Sequence, residues 1–456
     1  MIELHRDGEH HVAGPGHIGQ NEDGSLTFAI HVDNAGIQAL MNEINRPRQA
    51  GALVPAEDHM QFTARTYSGP VWVSSVPGVG FNMGLGVGGV AQGLLYEITT
   101  ASQLPGEQAK DYATLVIRER LDFPETDFTE TQIVREGVTK TVNRSRDYAQ
   151  FTAGEELFVL LRKEGATELH CTFEKGGIER FRHVRIQEAV QFALGQLVQP
   201  CVIDVCTGAI NQKTFRSVRV REGRQLRQNP PLSFRGSVWR PEVYQIASAY
   251  YSKILPHQDE RWHELSAHLY YLIEAGGAPI ELQCLGISVA AEGIVDTCFP
   301  ELAQVEQAFR DEVTNAQAKL ADLGLSEALK KRIDGALGAM KSARGSDRLR
   351  AFVQTKGHDQ QLFESWKRLR NTAAHGGKIE GQKIVQTLAD LNNLLFLCYS
   401  MVLRFCDYTG AQTNYSAAGY PDFTPPAPAP PAPAPEAAAP PVPAPEAPTP
   451  QQLAQN

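Results

Sequence analysis

The sequence predicts a multidomain α+β protein with a β-rich N-terminal domain, an all-α helical bundle on the C-terminal side and a disordered Pro/Ala-rich tail. Up to about residue 230, short β-branched and aromatic runs are separated by Gly, Pro, Asn and Asp, which is typical of strands and turns. After Trp239, apolar residues recur with a period near 3.6, which indicates helices. In the tail, 14 of the 28 prolines fall between Pro421 and Pro450.

Composition limits the classes of function. The chain of 456 residues is long enough for two or three domains, and its formal charge of −9 disfavours a general nucleic-acid coat but not a small basic site. The seven cysteines follow no metal-ligand spacing, so we expect free thiols and no metal or other cofactor. No apolar leader opens the chain, and its longest apolar run, Leu394–Leu403, is about half of the ~20 residues that cross a bilayer. We expect a cytoplasmic protein with no membrane partner.

The β-rich domain is assigned to residues 1–230. Its predicted strands include Ser25–Val32, Pro70–Ser75, Leu94–Thr100, Ala113–Arg118 and Leu157–Leu161. One helix is predicted at Arg185–Val198, where the apolar residues have helical spacing. The run of Asn and two prolines that follows Gln228 is typical of a domain boundary.

A glycine-rich stretch in this domain contains Gly84-x-Gly86-x-x-Gly89, which formally matches a dinucleotide-binding turn. That turn requires a βαβ unit and an acidic residue about 20 positions later, whereas the surrounding residues favour strands. We interpret the stretch as a glycine-rich loop or tight strand packing, and a nucleotide site is the weaker alternative.

The helical domain is assigned to residues 236–412 and the tail to residues 413–456. The predicted helices cover about 241–255, 259–275, 279–297, 301–322, 326–342, 347–355, 360–375 and 380–407. The tail has almost no aromatic residues, so it cannot bury enough surface to offset its ordering entropy. We expect it to be disordered, with polyproline II character.

The segment Gln360–Gly377 carries the most informative pattern. On a helix, Leu362, Trp366, Leu369 and Ala373 form an apolar stripe with spacings of four, three and four. The opposite face collects the polar side chains Glu364, Lys367, Arg368, Asn371 and His375. Because it has a polar face beside an apolar core stripe, this helix is the best candidate for a functional site.

Charge and helix geometry both bear on this segment. Gly376-Gly377 ends the helix just after His375, and the negative end of the helix dipole favours the imidazolium, so the histidine can titrate near neutrality. Between Lys330 and Lys378, 12 Lys and Arg stand against 4 Asp and Glu, a local charge of +8. Such a region suits a polyanion. Taken alone, however, a helix-capping histidine beside solvated arginines explains the pattern at least as well as a catalytic site.

The run from Trp366 to Gly377, WKRLRNTAAHGG, resembles the motif of HEPN domains: an Arg, a polar residue next to it, and a His after four to six intervening positions. It lies where that family has it, at the end of a penultimate long helix and before a final one. A β-rich N-terminal half joined to such a domain resembles the ApeA-type proteins of anti-phage defence. The resemblance implies an abortive-infection effector whose N-terminal domain senses a phage-derived trigger or restrains the nuclease.

The resemblance also implies metal-independent RNA cleavage by the adjacent 2′-hydroxyl, with RNA as substrate and a homodimer as the assembly. His375 matches the histidine that moves a proton, Arg370 the arginine that holds the scissile phosphate, and Asn371 the polar position that orients either group. Lys367 and Arg368 are expected to support RNA binding. Arg368 also fits the family spacing, but the polar residue follows Arg370 directly.

Further alternatives stay open at this point. Glu292 lies on a polar stripe of an otherwise apolar helix and could face the same cleft, but a solvated stripe is the stronger interpretation. The main alternative function is a non-catalytic HEPN module that binds RNA or a protein partner. A β-domain enzyme acting through the glycine loop is the weakest of the three hypotheses.

Overall fold

The computed structural model describes residues 1–425 except 7–8, 45–58, 68, 77–79, 84–88, 105–110, 136–137, 174–180, 220–225, 235–238, 260 and 375–378. For residues 9–11, 43–44, 80–83, 128–135, 138–146, 321 and 373–374 it describes the backbone alone. Antiparallel β-structure up to Arg216 precedes a helical region that begins at Glu242, which confirms the predicted α+β class. We predict that the tail is disordered. Its residues from 426 onwards lie outside the described part of the chain.

Sixteen strands of the described residues build two antiparallel sheets. They are β1 (Ile2–Arg6), β2 (Glu9–Gly14), β3 (Gly16–Gln20), β4 (Leu26–Val32), β5 (Met60–Arg65), β6 (Val71–Val76), β7 (Gly80–Met83), β8 (Gly89–Leu95), β9 (Glu97–Gln103), β10 (Asp111–Ile117), β11 (Asp127–Arg135), β12 (Val138–Ala153), β13 (Glu156–Lys163), β14 (Ala166–Phe173), β15 (Pro200–Thr207) and β16 (Ile210–Arg216). The large sheet has the order β11-β12-β13-β14-β10-β15-β16-β9-β6-β5-β1-β2, and the small sheet has the order β3-β4-β8-β7. All their pairings are antiparallel.

The predicted strand Leu94–Thr100 is wrong as a single element. Leu94 belongs to β8 in the small sheet, whereas Ile98 and Thr100 belong to β9 in the large sheet. The chain changes sheets at Tyr96, which lies between the two strands. Local sequence conceals this change because the residues on both sides favour extended backbone.

Within the described ranges of this region, two helices accompany the sheets. The sequence did not predict α1 (Asn34–Ile44), which packs against β2, β4 and β8. The second helix, α2 (Arg182–Leu194), begins three residues before the predicted Arg185–Val198 and ends earlier. It ends because Gly195 adopts φ 62°, a left-handed conformation that terminates helices.

The described residues form two hydrophobic cores. The smaller core joins α1 to the first strands of the chain, with Leu4, Ile30, Leu40 and Phe62 at its centre. The larger core contains residues from β10, β12–β15 and α2, and it continues without a break into the helices after Glu242. The larger core therefore crosses the boundary that the sequence analysis placed at about residue 230.

In the described part of the chain, eight α-helices follow: α3 (Glu242–Ile254), α4 (Glu264–Gly276), α5 (Ile280–Cys298), α6 (Gln307–Ala321), α7 (Glu327–Met340), α8 (Gly345–Thr355), α9 (Gln360–Ala374) and α10 (Ile384–Phe405). They agree with the eight predicted helices, except that α4 and α6 begin five and six residues later than expected. Among the described residues, the stretch Gly381–Phe405 is long and apolar enough to span a membrane, but 72% of its apolar window is buried in the fold. It packs as the core helix that the sequence predicted. The centre of the bundle is α5, which contacts α4, α8, α9 and α10.

Aromatic side chains of α3 fix the bundle to the large sheet. The Tyr244 ring stacks on Phe151 with 4.9 Å between centroids, and its hydroxyl donates to the carbonyl of Pro124. Two turns later on the same face, the Tyr251 hydroxyl donates to the Glu156 carboxylate. Sheet and bundle are thus joined by polar bonds as well as by apolar packing.

The folded chain continues past residue 413, where we had placed the start of the tail. Strands β17 (Gln412–Thr413) and β18 (Asp422–Phe423) pair with each other. Between them, the buried Tyr415 donates its hydroxyl to the carbonyl of Pro230 at 2.6 Å. This segment is held against the bundle because it supplies aromatic and apolar side chains that the Pro/Ala repeat lacks.

Candidate functional site

Helix α9 has the two faces that its periodicity predicts. Leu362, Trp366 and Leu369 are buried, and Lys367 and Asn371 are exposed. The helix therefore contributes one face to the core of the bundle and presents the motif residues along the other.

The end of the motif falls in the gap at 375–378. His375, the predicted proton-transfer residue, lies outside the described residues, and so do Gly376 and Gly377. The side chain of Ala373 is likewise outside the described part. The structure therefore gives the environment of Arg370 and Asn371, one turn before the histidine, and not that of the histidine itself.

Arg370 forms an ion pair with α5. Its Nε atom donates to Oε1 of Glu292 at 2.7 Å, and both side chains are about one-third exposed. One turn further along α5, Asp296 accepts from Nη1 of Arg348 on α8, also at 2.7 Å. Glu292 is thus not simply part of a solvated stripe, since α5 offers two carboxylates to arginines of two neighbouring helices.

The start of α8 comes close to this pair. A Cβ atom placed on Gly345 would lie 3.3 Å from Cβ of Glu292 and 3.5 Å from Oδ2 of Asp296. A side chain here would contact both acids and press on Glu292, so the glycine lets the start of α8 approach them closely. The N-terminal end of a helix favours negative charge, so α8 stabilises both acids while the arginines hold them.

Arg368 points to a different helix. It donates from Nε and Nη2 to the two carboxylate oxygens of Asp390 on α10, at 2.9 and 2.6 Å. Hydrogen bonding to Asp390 raises the pKa of Arg368. Two parallel bonds of this kind are among the stronger charge-assisted interactions in proteins. Arg368 therefore ties α9 to α10, while its side chain keeps 44% of its surface exposed.

Asp390 is the centre of a buried polar network. Its carboxylate, 2% exposed, also accepts from the hydroxyl of Ser365 at 2.9 Å and from the amide of Gln386 at 3.0 Å. Asn393 in turn donates to the Ser365 hydroxyl at 2.9 Å. The full set of donors explains how a carboxylate can be buried in an otherwise apolar helix.

The positive charge of the stretch Lys330–Lys378 is only partly neutralised. Four basic residues of this stretch have ion pairs with described residues, namely Lys330, Arg348, Arg368 and Arg370. The exposed basic side chains of the stretch for which no ion pair to a described residue is present are Lys331, Arg332, Arg344, Arg350, Lys356 and Lys367. These exposed cations leave a region that can attract a polyanion.

Other candidate groups give no catalytic cluster in the part of the chain that the structure describes. There, no group of three or more His, Cys, Asp or Glu side chains is arranged to hold a metal ion. All seven cysteines are unpaired, and all except Cys201 are buried. Gly84 and Gly86 of the glycine pattern lie outside the described residues, and strand β8 rather than a helix begins at Gly89. This order of elements agrees with our interpretation of a glycine-rich loop.

Asp390, Ser365 and Arg348 were not among the predicted site residues. A signal existed for Asp390, because it is the only acidic residue of α10 and it lies beside the core-facing Leu391. A lone acid in an apolar helix indicates a buried cationic partner. Arg348 carried no comparable signal, since an arginine on a short helix is most often solvated.

Comparison with known protein families, with curated proteins and with solved structures finds no match for the chain. The functional conclusion therefore depends on the motif, its place at the end of α9 and its contacts.

Proposed function

We propose that the chain is a metal-independent endoribonuclease of the HEPN type, acting as a cytoplasmic abortive-infection effector. The observation that carries the proposal is the placement of Arg370 and Asn371 at the C-terminal end of α9. There Arg370 already holds an anionic group, the Glu292 carboxylate, at 2.7 Å. A guanidinium fixed by a carboxylate at the protein surface has the geometry and charge to hold a phosphate.

In the proposed reaction, the ribose 2′-oxygen forms a bond to phosphorus and the bond from phosphorus to the 5′-oxygen breaks. A proton leaves the 2′-hydroxyl and another reaches the departing 5′-oxygen, so the products are a 2′,3′-cyclic phosphate and a 5′-hydroxyl. His375 transfers a proton, Arg370 stabilises the charge that develops on the phosphate, and Asn371 orients the phosphate or the histidine. No metal ion is required for these steps.

The contacts around α9 support separate roles for the neighbouring basic residues. Lys367 is exposed and has no described ion pair, so it serves the RNA backbone. Arg368 keeps part of its surface exposed while Asp390 holds it, so it both ties the helices together and adds to the field that attracts RNA. Glu292 positions Arg370 and competes with phosphate for it.

Assembly and regulation complete the proposal. One motif supplies one proton-transfer group, whereas cleavage benefits from both an acid and a base. A C2 dimer through the helical domain brings a second motif to the same cleft. The β-rich part of the chain senses a phage-derived trigger or restrains the nuclease until one arrives.

The experiment is cleavage of a labelled single-stranded RNA by the purified full-length chain, with and without a chelator. We expect cleavage in the chelator, products that end in a 2′,3′-cyclic phosphate, and loss of cleavage in His375→Ala and in Arg370→Ala. Lys319→Ala is the matched control, because Lys319 is an exposed cation of α6 that lies outside the motif and outside the basic stretch Lys330–Lys378. Circular dichroism of each variant shows whether it is folded.

Equal cleavage by the wild type and the two motif variants would disprove the assignment, and activity restored only by added metal would disprove the metal-free mechanism. The second candidate function, a non-catalytic HEPN module, is favoured by the commitment of Arg368 and Arg370 to carboxylates. It predicts RNA or partner binding by the wild type with no cleavage under any condition.

A further inference from the structure

The β-rich part of the chain contains a cavity of about 550 Å³ between its two sheets. One wall is β3, an edge strand of the small sheet, together with Leu26 of β4, and the other walls come from β1, β5, β6, β9 and β16 of the large sheet. Cavities of this size are typical of sites for small organic ligands. None of the residues discussed for the nuclease lines it.

The walls of the cavity are mainly apolar. Ile18, Trp72 and Phe215 pack against the smaller core but stay partly exposed, and all three line the cavity. The Trp72 and Phe215 rings contact each other with 5.6 Å between centroids and 55° between planes. The two rings therefore lie side by side in one wall of the cavity, and a ligand would pack against them rather than between them.

The rim of the cavity carries an arginine. Arg65 and His17 line it, both are exposed, and within the described part of the chain neither has an ion-pair partner. Among the described residues that line the cavity there is no aspartate or glutamate. In a protein with a net charge of −9, a cavity whose described lining has an arginine and no acid favours anions.

Backbone contacts hold the strands at the rim of the cavity in place. The amino group of Met1 donates to the carbonyl of Arg65 at 2.8 Å, which ties the start of β1 to the end of β5. Opposite it, a Cβ atom on Gly16 would lie 2.8 Å from Cδ1 of Ile2, so β3 approaches β1 closely because this residue has no side chain. The cavity is thus formed before any ligand arrives.

We infer that this cavity binds a small organic anion with an apolar body. The body packs against Ile18, Trp72 and Phe215, and the acidic group, a carboxylate, sulfonate or phosphate, binds Arg65 at the rim. The inference does not depend on the proposed nuclease, and binding is measurable in a chain that cleaves no RNA.

The test uses 8-anilinonaphthalene-1-sulfonate, an aromatic sulfonate whose fluorescence rises in apolar surroundings, titrated into the full-length protein. We expect one dye per chain, roughly fivefold weaker binding in Arg65→Gln, and no binding in Ile18→Asp, which places a carboxylate in the apolar wall. Arg219→Gln, an exposed arginine outside the cavity, is the matched control and should bind as the wild type does. Decanoate should displace the dye, and decylamine should not.

The inference is overturned if the wild type binds no dye, or if Arg65→Gln and folded Ile18→Asp bind the dye as tightly as the wild type does. It is also overturned if decylamine displaces the dye as effectively as decanoate does. Should Ile18→Asp fail to fold by circular dichroism, Arg65→Gln together with the two competitors decides the question, since Arg65 is exposed and its replacement leaves the core intact.

Discussion

Arg370 of α9 and Glu292 of α5, 78 positions apart in the chain, are joined by a 2.7 Å hydrogen bond from Nε to Oε1. The guanidinium proposed to hold phosphate is therefore occupied by an anion from its own chain. RNA binding must either displace this carboxylate or use the remaining donors of the same guanidinium.

Replacing Glu292 by Gln should strengthen RNA binding. The amide can still accept from Arg370, but the competing negative charge is gone, so we expect a roughly three- to tenfold lower Kd and a salt dependence steeper by up to about one unit. Fluorescence anisotropy with labelled single-stranded RNA measures both. Glu281→Gln, the same change at an exposed position on the same helix, is the control. Weaker binding by Glu292→Gln would mean that the carboxylate orients Arg370 rather than competing for it.

Arg368 and Asp390 should be strongly coupled in stability. Arg368→Ala leaves a carboxylate that is 2% exposed without its cation, so we expect a loss of about 2–3 kcal/mol in the free energy of unfolding. A double-mutant cycle with Asp390→Ala in urea should give a coupling energy of about 1–3 kcal/mol. Lys367→Ala, on the exposed face of the same helix, should change little. Additive effects would contradict the network drawn around Asp390.

The His358 imidazole should make the protein less stable in acid. Its ring stacks on Phe352 with 5.5 Å between centroids, and burial, reinforced by Arg404, lowers its pKa from 6.5 to about 4. The folded state thus binds fewer protons than the unfolded state between these values, so stability is present above pH 6.5 and is lost as the pH falls through this window. The loss is at most about 1.4 kcal/mol per pH unit.

His358→Phe keeps the stacking and removes the titration, so its stability should fall less than that of the wild type between about pH 6.5 and pH 4. The comparison with this variant is necessary because burial raises the pKa of Glu188 to about 7, which changes stability in the opposite direction over much of the same range. Urea unfolding of both proteins at several pH values measures the difference. Parallel curves would show that His358 is not responsible.

Mixed dimers test the shared cleft. Arg370→Ala and His375→Ala chains, each inactive alone, should recover partial cleavage when they are mixed, because a heterodimer places one intact Arg and one intact His in the same cleft. Each variant mixed with itself is the control. A protein that is fully active as a monomer in sedimentation would contradict the composite site.

Periodicity in the sequence located the helices well, because α5 and α9 each bury a stripe whose spacing is visible in the residues themselves. It did not show which helices are buried on nearly all sides, nor which distant elements pair. Helix α2 was located by the spacing of its apolar residues, but the burial of its polar residues, including the ion pair of Arg185 with Glu188, was not visible in the sequence. The order of the large sheet, in which β10 lies between β14 and β15, depends on contacts that no local window contains.

The candidate site was also predictable only in part. The exposed and buried faces of α9 followed from spacing alone. Glu292 could be selected as a candidate but not as the partner of Arg370. The two residues are 78 positions apart with three helices between them, so tertiary packing decides the pairing. Arg368 was assigned to RNA without its link to Asp390, since a sequence pattern shows which face a charge occupies and not which acid reaches it.

The bonds of α3 to the large sheet bear on how the chain can be divided. Cutting the bundle out near residue 236 would uncover Tyr244 and Tyr251, and the sheet would lose the partners of Phe151 and Glu156. Both fragments would expose parts of one shared core, and apolar surface of that kind drives aggregation. Sheet and bundle should therefore unfold as one cooperative unit. They should also be expressed and inherited together, and not as interchangeable modules.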